Sequence, residues 1–89
     1  MGQKEKLLQK LQENPRSFTF DDAERLLGYC GMYRSNKGRT SGSRVIFTGG
    51  GHGDFLMHRP HPQKELKPYQ AKELQEFLKR EGLLSEKYD

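Results

Sequence analysis

The sequence has little material for a large hydrophobic core. Hydrophobic residues make up 31% of its 89 residues, and tryptophan is absent. The longest apolar runs, at 45–47 and 55–57, are far too short to span a membrane. A chain of this length forms one domain, and so thin a core is marginal on its own. We therefore expect a single soluble domain that a binding partner would stabilise.

Cysteine is nearly absent as well. Cys30 is a single cysteine, which excludes an internal disulfide, and the charged N-terminus lacks the pattern of a signal peptide. These features favour a reducing, cytoplasmic setting. No basic neighbour that would activate the thiol is evident in the sequence, so Cys30 is predicted to be a small core residue.

The positive charge is concentrated in the middle of the chain. The formal net charge is +4, and residues 34–67 carry seven Lys and Arg against two Asp and Glu, while both flanks are nearly balanced. All three histidines, His52, His58 and His61, lie in the same section. A local excess of cations is typical of a site for a polyanion such as RNA. A solvated basic loop region would account equally well for the charge alone.

Hydrophobic periodicity predicts the order helix, helix, strand, strand, strand, helix. The helices are expected over 3–13, from Thr19 to about Gly31, and from Pro68 to about Gly82, and a capping box of Thr19 and Asp22 opens the second. The strands are expected at 32–34, 43–48 and 54–58, with 49–53 as a loop. This order predicts an α+β fold in which helices cover one face of a three-stranded antiparallel sheet.

The apolar residues of the hairpin also predict its register. If the turn is centred near Gly51, Phe47 lies opposite Phe55, which places two apolar side chains on one face. The same register places Arg44 opposite His58 on the other face. We therefore expect Arg44 and His58 to lie side by side.

The segment 36–44 is rich in glycines, hydroxyl groups and cations, including Lys37 and Arg39. Backbone amides, hydroxyls and cations in a turn suit phosphate oxygens. The spacing required for a nucleotide-binding P-loop is absent. Phosphate contact is the favoured interpretation, and a polar connection between two strands is the alternative.

The segment 58–62 contains His58, Arg59 and His61. Pro60 between the histidines and Pro62 after them prevent the helical geometry of a zinc site, and no cysteine is nearby, so no metal is expected. Histidine is the usual general acid or base near neutral pH, and a histidine beside arginine could cleave RNA without a metal. Two structural histidines in a proline-rich loop are at least as common.

The order of these motifs resembles the HicA family, the toxins of bacterial HicA–HicB toxin–antitoxin pairs. The resemblance rests on Gly38-Arg39-Thr40-Ser41-Gly42-Ser43-Arg44 before a strand, His58-Arg59-Pro60-His61-Pro62 after the next, and Lys64-Glu65-Leu66-Lys67 before the last helix. It covers about residues 19–84, which suggests an N-terminal helix and linker at 1–18, a HicA-like RNA-binding domain at 19–84 and a tail at 85–89. The resemblance implies a double-stranded-RNA-binding-domain-like fold, metal-independent cleavage of mRNA without a cofactor, and a HicB-like antitoxin that masks the site.

The sequence departs from the family at one important position. In the family a catalytic histidine follows Gly-Ser, whereas here Gly42 and Ser43 are followed by Arg44. Arginine stays protonated and cannot act as a general base. Either Arg44 stabilises the phosphorane while His58 or His61 transfers the proton, or the protein binds RNA without cutting it, or it has another function, such as that of a pure interaction protein.

The candidate site follows from these motifs. The candidate catalytic residues are Ser43, Arg44, His58 and His61. The candidate RNA-binding residues are Lys37, Arg39, Arg44, Arg59, Lys64 and Lys67. His58 is the preferred replacement for the family histidine because of its place beside Arg44, and His61 matches a histidine common after the third strand in the family. The expected partners are mRNA and a HicB-like antitoxin, with neither a membrane nor a metal involved.

Overall fold

The computed structural model describes residues 2–35, 44–60 and 62–84. The elements are α1 (Gln3–Glu13), a 3-10 turn (Pro15–Ser17), α2 (Phe20–Tyr29), β1 (Met32–Arg34), β2 (Arg44–Gly49), β3 (His52–His58) and α3 (Pro68–Arg80). The strands form one antiparallel sheet in the order β1-β2-β3. The predicted α+β fold is confirmed, and it is compatible with the double-stranded-RNA-binding-domain-like arrangement. None of the helices in the described ranges is long and apolar enough to cross a membrane.

The ends of α2 are fixed by the signals that the sequence predicted. The Thr19 hydroxyl accepts a hydrogen bond from the Asp22 amide at 3.0 Å, and the Asp22 carboxylate accepts one from the Thr19 amide at 3.1 Å. This reciprocal pair satisfies two amides at the start of the helix. Gly31 ends the helix at a φ of 90°, which favours glycine. Cys30 is half-buried, and burial raises the pKa of its thiol despite the opposing charge of Lys4.

Two aromatic contacts join the helices to the inner face of the sheet. The ring of Phe20 in α2 lies 6.2 Å from that of Phe47 in β2, measured between centroids. The ring of Phe77 in α3 lies 4.8 Å from that of Phe55 in β3. These contacts place both helices on the same face, so the core lies between the sheet and the α2–α3 layer.

The N-terminal helix α1 packs on α2 and α3. Its apolar stripe, Leu7, Leu8 and Leu11, is buried in the common core. The Lys10 ammonium lies 2.7 Å from the Asp22 carboxylate, and the Gln75 side chain donates a hydrogen bond to the Leu11 carbonyl at 2.8 Å. Helix α1 therefore thickens the helical layer, and the outer face of the sheet stays uncovered in the described part of the chain.

The tip of the β2–β3 hairpin is tighter than the sequence predicted. Residues 49–53 were expected to form a loop, but β2 continues through Gly49 and β3 begins at His52. Gly50 and Gly51 alone make the turn, with φ of 65° and 78°. Positive φ at both positions is what a two-residue type I′ turn requires, and its twist matches that of the strands.

A register shift next to the turn redirects one histidine. Between Phe47 and Gly49 the pairing shifts, so that Gly49 lies opposite His52. An extra residue in one strand changes the side to which the following side chains point. The His52 ring therefore points to the helical side, where its Nδ1 lies 3.0 Å from the Glu81 carboxylate.

The Asp22 carboxylate, which pairs with Lys10 of α1, makes the stability of the α1–α2 contact depend on pH. Desolvation by burial raises the pKa of Asp22, but its hydrogen bonds with Lys10 and Thr19 and the Lys10 charge outweigh this, so the pKa is lowered overall. A carboxylate with a lowered folded-state pKa stabilises the fold above its unfolded pKa of about 3.9, and this contribution is lost as the pH falls through the folded value. In urea unfolding below about pH 4, we expect wild type to lose stability more steeply than Asp22→Asn.

The exposed neighbour Asp21 provides the control. Asp21→Asn removes one negative charge from the same helical turn without touching the Lys10 contact. It should keep the steep acid dependence of wild type. Parallel acid profiles for wild type and Asp22→Asn would show that the ionised form of Asp22 contributes nothing to folding.

Candidate functional site

Arg44 and His58 meet on the outer face of the sheet. Arg44 begins β2, His58 ends β3, and the register places them directly opposite each other. Both side chains are exposed and point away from the helices, since their neighbours Val45 and Met57 are buried on the inner face. Opposed residues of antiparallel strands have Cβ atoms about 4.5–5.5 Å apart, so a guanidinium and an imidazole can reach one phosphate group together. The predicted pairing of Arg44 with His58 is confirmed.

Both side chains are available to a ligand. Among the residues that the structure describes, neither Arg44 nor His58 has an ion-pair partner. A guanidinium offers five N–H donors in a planar fork, and an imidazole can donate or accept a proton. The pair therefore combines a permanent positive charge with a proton-transfer group.

Arg59 follows His58 but points the other way. Its guanidinium carbon lies 4.9 Å from the centroid of the Phe20 ring, which is the geometry of a cation–π contact. Arg59 lies one residue beyond the end of β3 at His58, and its side chain stays exposed above the ring. The structure thus places Arg59 at the edge between β3 and α2, apart from Arg44.

Lys64 and Lys67 lie in the segment that leads into α3, and both side chains are exposed. The Lys64 carbonyl accepts a hydrogen bond from the Phe20 amide at 3.0 Å, and the Leu66 amide donates to the Phe18 carbonyl at 2.8 Å. These bonds form a short antiparallel bridge to the start of α2. The bridge fixes the backbone of the two lysines relative to Arg59.

Four predicted site residues cannot be placed. They are Lys37, Arg39, Ser43 and His61, which lie outside the described residues. Within 2–35, 44–60 and 62–84, no three His, Cys, Asp or Glu side chains are grouped as metal ligands would be.

Two grooves formed by the described residues do not include the Arg44–His58 pair, and the smaller of them is lined by Arg59 and Lys64. A wide groove runs between the 3-10 turn and α3, with Arg16, Leu66, Ala71 and Gln75 among its lining residues. Neither Arg44 nor His58 lines it. Small molecules prefer concave pockets, so an open sheet face with a cationic edge suits an extended polymer better.

Sequence reasoning missed Gln70, which holds the end of β3 against α3. Its side chain is 4% exposed, and its Nε2 donates to the His58 carbonyl at 2.7 Å while its Oε1 accepts from the Lys67 amide at 3.0 Å. One buried amide therefore satisfies a carbonyl at the strand end and an amide at the helix start. The available signal was a polar residue next to Ala71 on the buried stripe of α3.

Replacing Gln70 should loosen this junction. Gln70→Leu removes both of these part-buried hydrogen bonds, and each contributes about 0.5–1.5 kcal/mol to stability. We expect a lower free energy of unfolding in urea and faster hydrogen exchange at the Lys67 amide. Gln70→Glu should keep that amide protected, because a carboxylate oxygen still accepts.

Gln75 supplies the matched control from the same helix. Gln75→Leu removes one hydrogen bond, to the Leu11 carbonyl of α1. It should leave exchange at the Lys67 amide unchanged. Unchanged exchange at Lys67 in Gln70→Leu would contradict the role assigned to Gln70.

Comparison with known proteins supports a family assignment. The family model described as the HicA toxin of bacterial toxin–antitoxin matches residues 20–83. No curated protein and no solved structure gives a significant match. The matched region contains α2, the three strands and α3, so it spans well over half of the chain and leaves α1 outside. The chain therefore belongs to the HicA family, the toxins of bacterial toxin–antitoxin systems, which implies an antitoxin as its partner.

Proposed function

We propose that this HicA-family toxin is a metal-independent endoribonuclease that binds and cleaves mRNA and so inhibits translation. The observation that carries the proposal is the pairing of Arg44 with His58 on an exposed sheet face. Internal cleavage of RNA requires proton transfer and stabilisation of phosphate charge. The two side chains supply these two functions at one place.

The cleavage step uses the 2′-hydroxyl of the RNA as nucleophile. The His58 imidazole takes the proton of this hydroxyl as its oxygen attacks the neighbouring phosphorus. The Arg44 guanidinium donates hydrogen bonds to the non-bridging oxygens, where negative charge builds up. The bond from phosphorus to the 5′-oxygen then breaks, and that oxygen leaves with a proton from His61 or from the imidazolium. The products are a 2′,3′-cyclic phosphate and a 5′-hydroxyl.

This mechanism gives a role to the departure from the family motif. The family resemblance implies a catalytic histidine at the position of Arg44. Cross-strand pairing puts His58 beside that position. In this chain the imidazole would therefore be supplied by the neighbouring strand, and Arg44 would supply a cation at the position of the family histidine. Ser43 is proposed to add a hydroxyl contact next to Arg44.

RNA binding is proposed to extend from this pair around the edge of the sheet, because the Arg59 guanidinium lies on the α2 side, against Phe20. Arg59, Lys64 and Lys67 are exposed beyond His58, and cations that contact phosphates provide affinity that falls with salt. Lys37 and Arg39 are proposed to add phosphate contacts. Residues 19–84 would form the RNA-binding domain, and α1 would support it from the helical side.

The antitoxin partner is proposed to be HicB-like and to cover the outer sheet face. Covering Arg44 and His58 would block the RNA and the proton transfer at once. No helix within residues 2–35, 44–60 and 62–84 covers this face, so a partner could reach it without unfolding any described element.

A second candidate function is RNA binding without cleavage. The observation that favours it is Arg44 itself, because arginine cannot take the proton that the family histidine would take. In that case RNA would bind with a strong salt dependence and no product would form.

Cleavage of a defined mRNA by purified protein in a chelator separates these functions. His58→Ala should reduce the cleavage rate by about 100-fold or more, in line with the loss of a general base, and leave RNA affinity nearly unchanged. Arg44→Ala should reduce both the cleavage rate and the RNA affinity. His61→Ala tests whether His61 donates the proton to the leaving oxygen. His52→Ala is the matched control, because His52 pairs with Glu81 on the helical side, and it should cleave like wild type.

One double variant tests the relocation directly. Arg44→His combined with His58→Ala restores the family residue and removes its proposed replacement. It should cleave faster than His58→Ala alone. Absence of cleavage by folded wild type that still binds RNA would refute the endonuclease proposal and leave the binding module.

A further inference from the structure

The outer sheet face carries an exposed aromatic ring that the cleavage mechanism does not use. Tyr33 in β1 lies opposite Thr48 in β2 and is 63% exposed. Its neighbour Met32 is buried at 3%, so alternation turns the Tyr33 ring to the same face as Arg44 and His58. A large aromatic side chain exposed on a ligand-binding face is a candidate contact residue.

A glycine on the neighbouring strand leaves room for the ring. A Cβ atom at Gly49 would lie 2.7 Å from Cε1 and 3.0 Å from Cδ1 of Tyr33, closer than side chains tolerate. The ring therefore lies against the bare backbone of the neighbouring strand. Any larger residue at 49 would displace it, so the glycine both permits the turn geometry and seats the ring.

The distance to the Arg44–His58 pair suits a nucleic acid strand. Thr48, opposite Tyr33, is four residues from Arg44 along β2, or roughly 13 Å at about 3.3 Å per residue. Ile46 and Leu56 are opposed between the two ends, and Leu56 is 43% exposed. The face thus has a cationic end, an apolar middle and an aromatic end.

The two ends differ in charge as well. Asp54 is exposed and precedes the inward-pointing Phe55, so alternation places it on the outer face near Thr48. A carboxylate there disfavours a phosphate group but can accept hydrogen bonds from the amino group of a base. The aromatic end is therefore suited to a nucleobase, and the Arg44 end is suited to the phosphate groups of the RNA.

We propose that Tyr33 is a base-stacking residue, on which one unpaired base of a single-stranded RNA lies while its backbone reaches the Arg44–His58 pair. The inference rests on the proposed endonuclease function and adds a subsite that selects unpaired RNA. The basic middle section favours RNA over a protein as the occupant, and stacking on an aromatic ring is how single strands are held without base pairing.

Binding of a short single-stranded RNA with 2′-O-methyl groups tests the subsite, because capping the 2′-oxygen prevents cleavage. By fluorescence anisotropy, Tyr33→Ala should raise the Kd about ten-fold, and Tyr33→Phe should bind like wild type. Tyr33→Leu should bind as poorly as Tyr33→Ala, since it restores apolar area without an aromatic face. The salt dependence should be unchanged in Tyr33→Ala and reduced in Arg44→Ala, because only the latter loses a phosphate contact.

Tyr29→Ala is the matched control, since Tyr29 is 48% exposed but lies in α2, in the helical layer. It should bind RNA like wild type. Equal affinity of Tyr33→Ala and Tyr29→Ala, with weaker binding by Arg44→Ala, would overturn the subsite and leave the endonuclease proposal standing. If Tyr33→Ala bound RNA like wild type but bound the antitoxin more weakly, the subsite would be overturned and the aromatic end would be a protein interface. Wild type with no RNA affinity at low salt would overturn both proposals.

Discussion

The register of β2 against β3 decides which side chains a ligand meets. A slip of one residue would turn Arg44 and His58 towards the helices and bring Val45 and Met57 to the surface. The apolar inner pairs oppose that slip, because exposing them would lose hydrophobic free energy. The two-residue turn fixes the register from the other end. Both constraints act on the backbone, so the position of the pair does not depend on any contact between Arg44 and His58 themselves.

The same constraint explains what could be predicted from the sequence. The alternation of apolar residues in β2 and β3 reports the inner face, so the register and the Arg44–His58 pairing followed from it. The capping box at Thr19 could be predicted because its hydrogen bonds are local. The role of Gln70 could not be predicted. Its partners are backbone groups, and because every residue has such groups, the sequence does not indicate which of them a side chain will bond. The inward turn of His52 depends on a register shift that hydrophobic alternation does not encode.

The two faces of the sheet divide stability from recognition. The inner face carries the aromatic contacts to α2 and α3, and α1 adds three buried leucines to that layer from outside the matched family region. For a chain with so few hydrophobic residues, this extra layer enlarges a core that would otherwise be small. Because α1 lies behind the helices, it can contribute to stability without changing the outer face. Gln70 is the described contact that joins the two sides, since it holds the strand end that carries His58.

The position of α3 at the end of the fold has a consequence for the order in which the protein folds during synthesis. The β2–β3 hairpin is local in sequence and leaves the ribosome before α3. The bond between Gln75 and Leu11 spans 64 residues and cannot form until α3 is complete. Until then the inner side of the sheet lacks the helix that carries Phe77, and apolar surface exposed at this stage is prone to aggregation. The inner face, which carries most of the buried apolar side chains of the sheet, therefore stays exposed longest until α3 packs on it.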